Sequence, residues 1–144
     1  MLIRSALRLL VVLGALSCAG VAMGQSRVHD YFNDTALKVR ATENPVLKRE
    51  ILSNRLGEMT RTIDAARGTS LTSAQDDIKL DHLRASLQEK SDELAGANGF
   101  DRVPDDQLNA FATYVVQDME QARETITLSV VTALLIVIII LLLA

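Results

Sequence analysis

The sequence predicts an all-α protein: a small helical hairpin or three- to four-helix bundle, followed by a C-terminal single transmembrane helix. Three observations carry this. Apolar residues in the central part recur at steps of three and four, the repeat of one helix face. No stretch alternates apolar and polar residues for long enough to make a strand. The last 19 residues, Ile126 to Ala144, contain no charge.

Composition divides the 144 residues into three parts, with room for one domain. Residues 1–24 hold 17 apolar side chains, residues 126–144 hold 16, and the 101 residues from Gln25 to Thr125 hold 37. The centre is thus about 37% apolar, below the globular average. It also carries every charge except Arg4 and Arg8. A water-facing segment therefore lies between two apolar ends.

The N-terminal end has the layout of a secretory signal. Arg4 and Arg8 form its positive region, Leu9 to Leu16 its short apolar core, and Ala22-Met23-Gly24 places small residues before a cut at Gln25. Residues 1–24 are accordingly expected to be a signal peptide, and the rival reading is an uncleaved anchor. A lipoprotein anchored through Cys18 is a further alternative. Ala15 and Ser17 match a bacterial lipobox poorly, and one stable anchor suffices.

Within 25–125, a weaker helix is expected over 28–43, with Tyr31, Phe32, Leu37 and Val39 as its apolar residues. Asn44-Pro45 then starts a helix over 45–67, Asn as N-cap and Pro at the first helical position. Its face is Leu52, Leu56, Met59, Ile63 and Ala66, and Gly68 stops it. Thr72 and Gln75 make a capping-box pattern for a helix over 73–95. There Leu80, Leu83, Leu87 and Leu94 share a face with one gap near Lys90. Gly96, Asn98 and Gly99 form a loop. Pro104-Asp105-Asp106 opens a helix over 104–125, with acidic residues at its positive end and Leu108, Phe111, Val115, Met119 and Ala122 on one face. Leu-rich stripes of this kind suit a bundle core, and also a coiled coil between copies.

No helix breaker separates Pro104 from Ala144, so one rod of about 60 Å is expected to run into the membrane. The uncharged segment 126–144 is about 28 Å long as a helix, close to the hydrocarbon thickness. No cytoplasmic tail is expected after Ala144. Arg4 and Arg8 stay inside, and the flank with Asp118, Glu120 and Glu124 against Arg123 has no cluster of Lys or Arg to hold it in the cytoplasm, so the signal is expected to place 25–125 on the exported (periplasmic or extracellular) side. A glycolipid-anchor signal would need an uncharged spacer where Gln117 to Glu124 carries charges.

The functional reading is mostly by exclusion. Net charge is −3, and −5 without Arg4 and Arg8, which argues against nucleic acid and against anionic headgroups. The only cysteine is Cys18, so the mature domain has no internal disulfide and no thiol nucleophile. Asp77 and Asp81 share a helix face, but His82 lies about 100° from Asp81, and a solvated acidic face with Lys79 and Arg84 nearby explains them better than a metal site. Asp105 and Asp106 suit the helix dipole rather than acid–base catalysis. Gly96-Ala97-Asn98-Gly99 lacks the Lys-Ser or Lys-Thr of a phosphate loop. Asn33-Asp34-Thr35 is a glycosylation triplet of a kind that arises often by chance. No catalytic residue, metal site, cofactor or small-molecule substrate is expected.

The expected function is a non-enzymatic, single-pass protein whose exported helices bind a protein partner or a second copy at the membrane surface. The alternative is a structural spacer of the cell envelope. The candidate contact in the membrane is Thr125, Ser129 and Ala133, a strip of small side chains at four-residue spacing with Thr132 beside it.

Overall fold

The structure, a computed structural model, describes residues 28–67, 69–125 and 129–143. The expected signal peptide, residues 1–24, lies outside the described residues. All regular structure among the described residues is helical. Residues 28–41 form α1. It is followed by α2 (Pro45–Arg67), α3 (Ala74–Ala95), a 3₁₀ turn (Asp105–Gln107), α4 (Leu108–Thr125) and α5 (Val130–Leu143).

The organising element is α2, which packs along α3 and also touches α4 and α5. Steps of four and three place Leu52, Leu56, Met59, Ile63 and Ala66 on one side, and all five are buried. They join Leu80, Leu87 and Leu94 of α3, Leu108, Phe111, Val115 and Met119 of α4, and Phe32 and Val39 of α1 in one core. Two leucines of the expected apolar stretches are not fully buried. Leu37 is 54% exposed, because α1 turns Phe32, Ala36 and Val39 inward and Leu37 falls on the opposite side. Leu83 is only partly buried at the margin of the core.

Local signals explain several helix ends. The backbone N–H of Val46 donates to Asn44 Oδ1 at 2.9 Å, so Asn44 caps α2. The cap of α3 sits one residue later than expected. Ser73 is extended (φ −78°, ψ 158°) and its Oγ accepts from the N–H of Asp76 at 3.1 Å. Ser73 and Asp76 thus take the places expected of Thr72 and Gln75, while the Thr72 hydroxyl donates to Asp77 Oδ1 at 2.7 Å. Gly96 ends α3 in the left-handed region (φ 71°). A Cβ there would come within 2.7 Å of Arg102 Cβ, so both conformation and space call for glycine. Arg49 of α2 holds the following loop: it donates to the carbonyls of Leu94 and Val103, each at 2.6 Å, and to Asp105 at 2.8 Å.

The expected single rod is two helices. α4 ends at Thr125, Ser129 is outside any helix, and α5 starts at Val130 and packs on α2. The backbone N–H of Thr132 donates to Ser129 Oγ at 3.4 Å, so Ser129 acts as an N-cap and begins a new helix. At 14 residues α5 is about 21 Å long. Among the described residues no helix is long and apolar enough to cross a membrane. Residues 126–128 and 144 of the expected span lie outside the described residues.

Truncating Leu56 to Ala is expected to cost about 2–5 kcal/mol, as for other fully buried leucines. Leu47→Ala, on the exposed side of α2, should stay within about 0.5 kcal/mol. Urea unfolding followed by circular dichroism measures both. Equal losses would place the core elsewhere.

Candidate functional site

Two charged side chains are buried among the described residues: Asp76, 3% exposed, and Lys90, 2% exposed. Each marks a place where the fold has matched a charge removed from water, and such places are where function is sought first.

Asp76 is the third residue of α3. In a capping box the side chain at this position returns to the N-cap backbone. Here it turns to α5 instead. Its two oxygens lie 3.3 and 3.4 Å from the donating N–H nitrogen of Ser129, and one accepts from the Thr132 hydroxyl at 2.9 Å. Ser129 Oγ in turn donates to Thr132 Oγ1 at 3.1 Å. Lys79 Nζ is 3.8 Å away. One carboxylate thus lies against the positive ends of two helices, α3 and α5. Burial pushes its pKa up, but the hydrogen bonds from Ser129 and Thr132 and the charge of Lys79 outweigh this and hold it below the ordinary carboxylate value.

No protein family, curated protein or solved structure matches this chain.

Lys90 fills the gap in the α3 leucine stripe. Its Nζ lies 2.9 Å from Tyr114 Oη, 3.0 Å from Glu93, 3.4 Å from Glu89 and 3.6 Å from Asp118. It also lies 4.5 Å from the centre of the Tyr114 ring. Burial works against its charge, but Tyr114, Glu93 and Asp118 outweigh burial and raise its pKa above the usual lysine value. It remains an ammonium at neutral pH, and it ties α3 to α4 together with the Ser86–Asp118 hydrogen bond. Tyr31 of α1 donates to Glu58 at 2.6 Å. Burial, then this bond, push the phenol well above its ordinary value. Protons are therefore held at Lys90 and Tyr31 and kept off Asp76.

The acidic residues of α3 take separate partners. Asp77 accepts from Thr72, Asp81 pairs with Arg67 at 2.8 Å, and His82 is exposed. Lys79 and Arg84, expected beside Asp77 and Asp81, reach Asp76 and Asp64 instead. No group of three His, Cys, Asp or Glu among the described residues could hold a metal ion. His29 Nδ1 lies 3.1 Å from Glu120. In the Asn33-Asp34-Thr35 triplet Thr35 is buried and donates to the Tyr31 carbonyl.

The candidate strip is divided between elements. Thr125 is the last residue of α4, Ser129 precedes α5, and Ala133 lies within α5. Asp76 and Lys90 were not singled out in the sequence. Lys90 left a signal, a cation at a core position of the leucine stripe. Asp76 left only a local one, the Ser73-x-x-Asp76 cap pattern, because its partner Thr132 is 56 residues away.

Two outcomes follow. A carboxylate whose folded pKa is depressed stabilises above its unfolded pKa of about 3.9, and that stability is lost as pH falls through the lower folded value. Asp76→Asn should therefore lower the melting temperature at neutral pH, and the gap from the unaltered chain should close in acid. A gap constant with pH would deny Asp76 its charge-dependent role. Lys90→Ala should cost about 3 kcal/mol, because Glu93 and Asp118 lose their cation, while removing the exposed Glu89 should cost under about 1 kcal/mol in the same urea titration.

Proposed function

We propose that the chain is an exported, single-pass membrane protein whose helical domain, residues 25–125, binds a protein partner or a second copy at the membrane surface without catalysing a reaction. One observation carries the reading: the stretch 126–144 has no charged residue, and the side of α5 turned away from the bundle is aliphatic as well. Leu134, Ile138, Leu141 and Leu142 are exposed there, Leu142 to 80%. A helix apolar on every side belongs in an apolar surrounding. Burying each such side chain fully is worth about 1.5–3 kcal/mol. Lipid meets that need, and 19 uncharged residues are enough to cross a bilayer if they form one helix there.

Support for a non-catalytic role is that Asp76, Lys90 and Tyr31 each have their polar atoms engaged within the fold. The lack of a Lys or Arg cluster before the span, where Arg123 stands alone, supports export of the domain. Association between copies through Thr125, Ser129 and Ala133 belongs to the same proposal, since small side chains let helices approach closely in lipid.

Alkaline carbonate washing of membranes from expressing cells should leave the full chain in the pellet, and protease added to spheroplasts should digest the domain. Release into the wash would overturn the anchor. Protection until lysis would overturn the orientation.

A further inference from the structure

Two positions of α5 exclude each other. In the structure α5 lies against α2, with Thr132 and Ile136 buried and Leu135, Ile139 and Ile140 packed on the core. α2 carries eight charged side chains among its 23 residues. Such a helix does not enter hydrocarbon. A segment held along α2 therefore cannot also lie across a bilayer, and moving between the two places requires the Ile136 face to leave the core.

α5 is held in the first position by this apolar face and by one polar contact at its N-terminal end. Beyond the apolar contacts, the carboxylate of Asp76 receives the Ser129 N–H and the Thr132 hydroxyl. On release, all three groups have cheap alternatives. The carboxylate and the Ser129 N–H turn to water, and the Thr132 hydroxyl returns to its own helix backbone or to headgroup water. The contact is therefore worth no more than hydrogen bonds to a charged group usually are, a cost that burying the released apolar face in lipid can offset.

We propose that Asp76 is a latch: it holds the C-terminal apolar helix on the helical domain, and opening it delivers that helix to a lipid bilayer. The proposal rests on the membrane reading above and adds its regulation. The docked form shields the Ile136 face from water before insertion. The Leu134, Ile138, Leu141 and Leu142 side stays outward and is the first part to meet lipid.

The test uses the full chain, with Asp76→Ala and Asp76→Asn as latch variants. Asp77→Ala is the control, since Asp77 lies in the same first turn but accepts from Thr72 rather than α5. All of these leave the composition of α5 unchanged, and circular dichroism verifies that the domain stays folded. Two readouts are taken. Without lipid, amide exchange over 130–143 should quicken by about tenfold or more in Asp76→Ala, the scale of losing hydrogen bonds to a charged acceptor, and by less in Asp76→Asn. With uncharged phosphatidylcholine vesicles, the ratio of floated to free chain should rise in the same order, with Asp77→Ala like the unaltered protein. Unchanged exchange in Asp76→Ala would overturn the latch. Faster exchange with no flotation of any form would overturn the membrane reading on which it rests. Equal flotation of all forms despite faster exchange would show that docking does not govern delivery to lipid.

Discussion

A carboxylate withdrawn from water must find donors, and Asp76 finds them on a helix more than fifty residues away. That requirement shapes the C-terminal half of the molecule. The N-terminus of α5 comes to the N-terminus of α3, and α5 lies on α2. Both helices present their positive ends to the same anion, and neither needs a charged partner of its own there. The same contact sets the electrostatics: the charge on Asp76 is kept because Ser129 and Thr132 donate to it, against the effect of burial.

The rest of the domain is a narrow core with polar ties at its seams. About a third of the central segment is apolar and it has no cysteine, so packing along α2 bears most of the stability. Arg49, Lys90 and Tyr31 each join α2 or α3 to a neighbour through short hydrogen bonds. These ties specify which helix lies beside which, something an all-leucine seam does poorly. Lys90 illustrates the cost and the gain: it gives up water, and in exchange fixes Tyr114 and Asp118 of α4 at a set height along α3.

Much of the fold is legible in the sequence wherever the cause is local. The α2 face from Leu52 to Ala66 follows from spacing, and Asn44 and Gly96 follow from backbone chemistry. The cap of α3 slips by one because Thr72 and Ser73 both fit the rule, and only the tertiary pull on Asp76 decides between them. Leu37 misled because a leucine in a short, weakly periodic helix says little about direction. The end of α4 was hidden for a different reason. No glycine or proline marks it, and the Ser129 that caps the next helix gives its own N–H to the distant Asp76. Of the candidate site, Ser129 and the neighbouring Thr132 were visible as small polar residues in an apolar run. Their partner was not, since nothing in a sequence links positions 76 and 132.

The account stands on the energetic link between Asp76 and Thr132. A double-mutant cycle measures it directly: Asp76→Ala, Thr132→Val and the pair, each read as the opening free energy of α5 from amide exchange in the full chain without lipid. Residues in direct contact should show coupling of about 1 kcal/mol or more, with the second change costing little once the first is made. Additive losses, or no loss in either single variant, would contradict the account, because α5 would then be held by its apolar face alone.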